Sequence, residues 1–165
     1  MNQRQRYHPT DFGARQWASL LDFALERADQ FECAIPYPFV AQELWTAPLF
    51  APGLDPLREA LIDRHVSLFR GGQTRDYPTQ YLRFELRPAV ADFIRSVRRL
   101  EGWNWSRQMP EDPCFLLDDA LLLATDSAEG RITVYADPDE RQALQGAGIR
   151  LIEPLGVRAD PWPTP

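Results

Sequence analysis

Three short apolar segments joined by acidic turns constrain the fold of this chain more than any of its other features. The segments comprise residues 114–117, 120–126 and 131–136. Apolar runs of this length, bounded by turn residues, are typical of β-strands. The two connections, Asp118-Asp119 and residues 127–130, consist of residue types that tolerate turn geometry. The sequence therefore predicts a three-stranded antiparallel meander in this part of the chain.

Two amphipathic segments predict helices that pack on such a sheet. The first spans residues 17–28, after a capping residue that we expect to be Asp11 or Thr10. The second opens at Pro88 and should end at Gly102, since glycine commonly follows the last turn of a helix. The apolar stripes consist of Trp17, Leu20, Leu21, Ala24, Leu25 and Ala28 in the first helix, and of Val90, Phe93, Ile94, Val97 and Leu100 in the second.

The remaining segments alternate between strand and helix patterns. Residues 31–35 suit a half-buried strand with Glu32 and Ala34 on its solvent side. A helix should begin at Asp55 and run to about Arg64. Further strands are predicted at residues 65–70, 80–86 and 149–153, with short helices at residues 40–45 and from Asp137, where Pro138 and Glu140 follow as helix-start signals. The fold class indicated is α+β, with a mixed or mainly antiparallel sheet and helices packed on it.

The length of 165 residues, with 44% hydrophobic and 25% charged residues, is typical of one globular domain. We expect that domain to span residues 1–165, with a loose leader at residues 1–9 and a Pro-rich tail at residues 154–165. Two cysteines, Cys33 and Cys114, without CxxC spacing indicate free thiols in a reducing compartment. The first residues lack the apolar core of a signal peptide, and no apolar run is long enough to span a membrane. We therefore expect a cytoplasmic protein that does not bind a membrane.

The net charge of −6 narrows the class of partner. Nucleic-acid binding requires a basic face, whereas the 18 cationic residues here are all arginines scattered along the chain. We therefore expect no nucleic-acid ligand. An acidic surface suits a basic protein partner, or serves solubility alone.

The residue types that catalysis commonly requires form no recognisable motif. The histidines are His8, in the expected leader, and His65, at the start of a predicted strand, so a Cys114–His65 pair is the one conceivable nucleophile with a base. The sequence has no GxSxG nucleophile motif, no GxxxxGK[ST] phosphate-binding loop and no His or Cys spacing typical of a metal site. We expect no catalytic residue, no cofactor and no bound metal.

Six carboxylates between residues 111 and 129 are candidates for a functional surface. Acidic residues at turns can serve turn geometry and solubility, can bind a basic protein, or can bind a hard cation or act as general acid and base. Because alternate turns of a meander lie at opposite ends of a sheet, we do not expect all six to converge. The six are Glu111, Asp112, Asp118, Asp119, Asp126 and Glu129.

Trp103 and Trp105 are candidate apolar anchors beside those carboxylates. On an extended segment, their i, i+2 spacing places both side chains on one face. One interpretation is burial in the core against the preceding helix. The other is an exposed anchor at an interface, because tryptophan is enriched at binding hot spots.

Several segments together carry a longer pattern. They are Ala28-Asp29-Gln30-Phe31-Glu32, Trp103, Pro110-Glu111-Asp112-Pro113-Cys114-Phe115 and Thr125-Asp126-Ser127-Ala128-Glu129. These segments resemble a group of small bacterial proteins with a Pro-Glu-Asp-x-x-Phe turn followed by Thr-x-Ser-His-Glu on the next hairpin. That group looks like the small acidic immunity proteins encoded beside secreted bacterial toxins. The chain departs from the pattern at Ala128, where histidine is frequent, so no role in this protein can rest on an imidazole there.

The resemblance and the acidic turns lead to one expected function. We expect a non-catalytic protein-binding domain, an immunity protein that neutralises a basic toxin domain through an acidic surface beside aromatic anchors. Two alternatives stay open: a small enzyme that uses carboxylates or Cys114, and a structural or regulatory subunit of another assembly. The expected partner-binding residues are Glu111, Asp112, Asp118, Asp119, Asp126, Glu129, Trp103 and Trp105.

Overall fold

The computed structural model of the chain describes residues 4–36, 53–70 and 73–154. The strands in these residues are β1 Gln5–Thr10, β2 Gln30–Pro36, β3 Leu61–Arg70, β4 Gln73–Glu85, β5 Glu111–Leu117, β6 Ala120–Asp126, β7 Arg131–Ala136 and β8 Arg150–Ile152. The α-helices are α1 Ala14–Arg27, α2 Pro88–Ser96 and α3 Pro138–Gly146, and short 3₁₀ helices occupy Asp55–Ala60, Leu100–Gly102 and Trp105–Arg107.

The eight strands form one sheet in the order β3-β4-β2-β5-β6-β7-β1-β8. Every pairing between described strands is antiparallel, which confirms the α+β class and the mainly antiparallel sheet. The predicted meander is β5, β6 and β7, which are neighbours in the sheet as they are in the chain. The sequence did not indicate that β2 lies between β4 and β5, or that β1 lies between β7 and β8.

One row of large side chains crosses the sheet and forms the base of the core. Residues that are paired across an antiparallel ladder point to the same face, so a row can be followed from strand to strand. All members of this row are at most 2% exposed. From β4 to β1 they are Phe84, Phe31, Phe115, Leu123, Val134 and Tyr7.

Helices α1 and α2 contribute the other side of this core, as their stripes predict. Trp17, Leu20 and Ile94 are at most 1% exposed and belong to the same apolar cluster as the row. The indole Nε1 of Trp17 donates a hydrogen bond to the carbonyl oxygen of Val97, 3.3 Å away, which links α1 to the segment after α2. Phe93 differs from the prediction, because its side chain is only partly buried against the cluster.

The expected loose leader at residues 1–9 is wrong for the residues that the structure describes. Residues 5–10 form β1, whose first half pairs with β7 and whose second half pairs with β8. The physical reason is burial: Tyr7 is 2% exposed and completes the core row. One aromatic residue among polar neighbours is too weak a sequence signal for a strand.

Two predicted helix boundaries also differ from the structure. Helix α1 begins after Gly13 instead of Asp11 or Thr10, and the Gly13 N–H donates to the Gln16 side chain at 3.2 Å. The helix expected to run from Asp55 to Arg64 is a short 3₁₀ helix, and the chain continues as β3 from Leu61. Pairing with β4 supplies the hydrogen bonds and packing that a local helix signal does not include.

The C-terminal part of the second helix differs in the same way. Helix α2 ends at Ser96, and a 3₁₀ helix at Leu100–Gly102 carries the chain onward. Val97 and Leu100 are nevertheless buried, as their place in the stripe predicts. Glycine is needed at Gly102 for space, because a Cβ there would lie 2.7 Å from Val97 Cγ1.

Strand β2 is buried on both faces, although the sequence predicted a solvent side. Glu32 is 6% exposed and Ala34 is 1% exposed. On this face Glu32 pairs with Arg83 of the neighbouring strand β4, so its carboxylate is held against the sheet.

Cys33 and Cys114 are both buried, and neither is in a disulfide, as predicted. Cys114 is paired in register with Glu32, the neighbour of Cys33 in the chain. Successive residues of a strand point to opposite faces, so the two thiols lie on opposite faces of the sheet.

The predicted short helix at residues 40–45 and the tail beyond Pro154 lie outside the described residues. Within the part of the chain that is described, no helix combines the length and apolar character needed to cross a membrane.

Candidate functional site

The direction of the strands separates the predicted carboxylates into two groups at opposite ends of the sheet, as expected. One group, here called the Asp118 end, lies where β5 ends and β6 and β2 begin. The other, here called the Asp126 end, lies where β6 ends and β5 and β7 begin. The Asp118 end contains Asp29, Asp118 and Asp119, and the Asp126 end contains Glu111, Asp112, Asp126 and Glu129.

The Asp118 end is built on a two-residue hairpin turn. Asp118 and Asp119 have φ values of 50° and 63°, and the flanking Leu117 and Ala120 are paired, which corresponds to a type I′ connection. The Asp118 N–H donates to both carboxylate oxygens of Asp29, at 3.2 and 3.3 Å. All three aspartates are exposed. The turn and the start of β2 thus present three carboxylates side by side.

One arginine connects this group to the buried part of the sheet. Arg83 Nη1 lies 3.1 Å from Asp119 Oδ1, and Arg83 Nη2 lies 3.0 Å from Glu32 Oε2. The Glu32 side chain is 8% exposed, whereas that of Asp119 is 67% exposed. Arg83 therefore neutralises the charge of Glu32, whose burial without a partner would cost free energy. The same guanidinium also restrains the position of the Asp119 carboxylate.

A second ionic cluster borders the same end through the start of α3. Asp137 caps α3 by accepting from the N–H groups of Asp139 and Glu140, and the Glu140 side chain accepts from the Asp137 N–H. This is the capping box that the Asp-Pro-Asp-Glu sequence predicted. Glu140 also pairs with Arg4 at 2.9 Å and with Arg27 at 3.7 Å. The pair with Arg4 connects the chain before β1 to α3.

The ionic cluster shifts the pKa values of its members. Burial raises the pKa of Glu140, but hydrogen bonds from Arg4 and from the Asp137 backbone, with the charges of Arg4 and Arg27, outweigh it, so the net pKa is lowered. The pKa of Arg4 is raised, first by its hydrogen bond to Glu140 and also by the charge of Asp118. Asp118 therefore acts electrostatically on Arg4.

The Asp126 end uses its carboxylates for internal hydrogen bonds. Asp112 is 1% exposed, so the prediction that it contacts a partner is wrong. Asp112 Oδ1 accepts from the Ser127 N–H at 2.8 Å and from Ser127 Oγ at 2.9 Å. Thr125 Oγ1 donates to the carbonyl oxygen of Pro113 at 3.0 Å. The Pro-Glu-Asp segment and the Thr-Asp-Ser segment, which are separate in the sequence, thus form one hydrogen-bonded unit.

The other members of the Asp126 end are held by their own turn. Asp126 accepts from the Glu129 N–H at 3.0 Å and from Arg131 Nη2 at 2.7 Å. The hydrogen bond and charge of Asp126 raise the pKa of Arg131. Glu111 Oε1 accepts from the Trp105 N–H at 3.3 Å. Glu129 is exposed at the tip of the hairpin.

The two tryptophans have different positions. Trp103 is 0% exposed, with its ring centroid 5.7 Å from Phe31 and 5.8 Å from Phe93, so of its two interpretations the core residue is confirmed and the surface anchor is wrong. Trp105 is partly buried against the same cluster and lies beside Glu111, at the Asp126 end. Trp105 therefore lies at the opposite end of the sheet from the three exposed aspartates.

The one conceivable nucleophile and base are separated by the sheet order. His65 lies on β3 and Cys114 on β5, three strand positions apart, which is about 14 Å at the usual strand spacing. His65 instead forms a hydrogen bond with the carboxylate of Asp63, at 2.8 Å, and its ring stacks on that of Tyr81. Among the described residues, no group of three or more His, Cys, Asp or Glu side chains has the arrangement of a metal site.

Sequence reasoning missed the residues that organise the Asp118 end. Asp29 and Arg83 are distant from the acidic turn in the sequence, and pairing of β2 with β4 and β5 brings them to it. Ser127, the partner of Asp112, was visible only as part of the Thr-x-Ser pattern.

Comparisons of the chain with models of protein families, with curated proteins and with solved structures found no match.

Proposed function

We propose that this protein is a non-catalytic protein-binding domain, an immunity protein that neutralises a basic bacterial toxin domain through the Asp118 end. The observation that carries the proposal is the exposed Asp118-Asp119 turn beside Asp29. It differs from the surface expected from the sequence, because Asp112 and Trp103 are buried and Asp126 is held within its own turn.

The backbone of the turn supports this proposal. Both positions of a type I′ turn require positive φ, for which asparagine followed by glycine is the least strained choice. Aspartate tolerates the left-handed region better than most residues, but glycine does so at no steric cost. Two adjacent carboxylates at these positions add mutual repulsion to that strain. The presence of two aspartates at this cost supports a binding role for the turn, since unfavourable local geometry tends to occur at functional sites.

The charge distribution supports a basic partner. Asp29 is in no described ion pair, Asp118 acts on Arg4, which is itself paired with Glu140, and Asp119 shares Arg83 with Glu32. The excess negative charge at this end has the same sign as the net charge of −6. Concentrated charge of one sign steers an oppositely charged protein and raises the association rate, most strongly at low salt.

The test removes the two charges without disturbing the turn. Asp118→Asn with Asp119→Gly keeps a sequence that is optimal for the type I′ geometry. The matched control, Asp11→Asn with Glu129→Gln, removes the same number of exposed carboxylates at the opposite end of the sheet, and asparagine tolerates the φ of 55° at Asp11. Affinity co-purification from the native host with the original chain as bait identifies the partner, whose binding is then measured with all three proteins.

We expect the turn variant to associate at least about tenfold more slowly at low salt and to show a weaker salt dependence. The control should retain the original association rate within about twofold, because a change in net charge away from the binding site affects this rate only weakly. In cells that express the partner, the turn variant should give less protection. Equal association rates for the original chain and the turn variant would refute the proposed surface. A partner with an acidic binding surface, or one that this protein modifies chemically, would refute the proposed function.

A further inference from the structure

The large hydrophobic residues that are exposed in the described part of the chain lie on the two outermost strands of the sheet. Ile62 is 52% exposed and Val66 is 42% exposed, both on β3. Ile152 is 47% exposed on β8, at the opposite edge. Isolated exposed apolar residues are common, but two on one edge strand form an apolar contact surface.

Strand β3 is long enough to accept a further strand along its outer edge. It spans ten residues and pairs with β4 on one side, and no other described strand lies on its outer side. Alternate backbone N–H and C=O groups of an edge strand point away from its neighbour. The register with β4 is regular from Asp63 to Ser67 and shifts on both sides of that stretch. The regular stretch is therefore short and defined at both ends.

We propose that the outer edge of β3 pairs with β3 of a second copy of this chain, antiparallel and about a two-fold axis. The register that the side chains favour places Arg64 opposite Arg64 of the second copy. Asp63 then faces His65 of the second copy, and Val66 lies next to the register shift at Ile62 of the second copy. The two-fold axis repeats each contact, so the interface contains two carboxylate–imidazole contacts and two apolar contacts.

The side chains of the protomer fit this arrangement. The carboxylate of Asp63 and the ring of His65 lie 2.8 Å apart within one chain, so both already point to the same face. In the dimer, two such pairs form one cluster in which each carboxylate lies beside the imidazoles of both chains. Arg64 is 6% exposed, so its own protomer shields the guanidinium from the copy opposite. Cross-strand pairs of opposite charge and of apolar residues both stabilise antiparallel sheets.

The self-complementary order of the residues favours a second copy over an unrelated strand. A two-fold contact uses the same surface on both chains and closes, whereas pairing of β3 with β8 of another copy would continue as an open filament. Strand β8 is also only three residues long and offers little backbone to pair with. The interface is small, and we therefore expect a weak dimer.

The first experiment compares variants at the two edges. Sedimentation velocity at about 100 μM, where a small interface of this kind is populated, should show a dimer that dissociates on dilution. Val66→Lys should weaken the dimer at least about tenfold, because it places two charges against apolar contacts. The matched control is Ile152→Lys, an equally exposed position on β8, which should leave the dimer unchanged. Circular dichroism melting curves establish that each variant is folded.

The second experiment tests the register by charge exchange. Asp63→Arg places arginine opposite the imidazole, and His65→Asp places two carboxylates opposite each other, so each variant alone should be monomeric. In an equimolar mixture, each new charge faces an opposite one, and native mass spectrometry should detect a one-to-one heterodimer. Three results would overturn the proposal: a monomeric original chain at this concentration, loss of the dimer in Ile152→Lys, or a mixture that associates no better than its components.

Discussion

Replacing Asp112 by alanine should destabilise the protein strongly, because this carboxylate joins two segments that are far apart in the sequence. Its Oδ1 accepts hydrogen bonds from the N–H and the hydroxyl of Ser127, at 2.8 and 2.9 Å. The residue is 1% exposed and its φ is 51°. The substitution therefore removes a buried acceptor and places alanine in the left-handed region.

The magnitude follows from these two effects. A hydrogen bond to a charged group contributes about 1.5–3 kcal/mol, and the Ser127 N–H loses its acceptor when the carboxylate is removed. Ser127 is only partly buried, so water can replace the lost carboxylate as the acceptor for its hydroxyl. Alanine at positive φ costs about 1 kcal/mol more than aspartate. The expected loss is about 3 kcal/mol of unfolding free energy, or a fall in Tm of about 6–12 °C for a chain of this size.

Asp112→Asn is the matched control for the same position. Asparagine keeps an acceptor oxygen and tolerates the left-handed region, so it should cost no more than about 1 kcal/mol. The coupling between the two side chains is measured by urea denaturation in a double-mutant cycle. The cycle compares Asp112→Ala, Ser127→Ala and the double variant, and Asp112→Asn is measured beside them. A loss below about 1 kcal/mol for Asp112→Ala, or equal losses for asparagine and alanine, would show that this contact does not stabilise the fold.

Three further predictions follow from burial and ionisation. Leu21→Ala should cost about 2–5 kcal/mol in urea denaturation and Phe93→Ala clearly less, since Leu21 is 5% exposed and Phe93 is only partly buried; the reverse order would contradict the assignment of the core. Cys33 and Cys114 should resist alkylation in the native protein and should both be labelled after unfolding without reductant, as seen by mass spectrometry; an unlabelled pair would indicate a disulfide. The pKa of Glu140 is lower in the folded than in the unfolded chain, so its ion pairs stabilise the fold above the unfolded pKa and lose that effect as pH falls through the folded pKa. The unfolding free energy, measured from pH 7 to pH 3, should therefore fall less steeply with decreasing pH for Glu140→Gln than for the original chain. Parallel curves for the two proteins would contradict this.

Much of the local structure could be predicted because its causes lie close together in the sequence. The stripe of α1 depends on residues three and four apart, and the start of α3 depends on Asp137 and Glu140 three residues later. The turn at Asp118-Asp119 needs only residue types that accept positive φ. The candidate site was predicted in part, since the exposed turn was named and its neighbours were not.

The positions of strands and the burial of polar residues were not predictable, because they depend on pairing between distant segments. A strand is stabilised by its neighbours in the sheet, so β1 could be recognised only once β7 and β8 were in place beside it. The exposure of Glu32 was misjudged for the same reason, since alternation in one strand does not show what flanks it.

The sequence by itself determined that this chain forms helices with one apolar face and an antiparallel meander with acidic turns. These properties follow from the period of the apolar residues and from the conformational preferences of the turn residues, which act over a few positions. Only the tertiary structure decided which carboxylates are available to a partner. It buries Asp112 against Ser127 and brings Asp29 beside Asp118, because desolvation and hydrogen bonding depend on which groups meet in space and not on their separation along the chain.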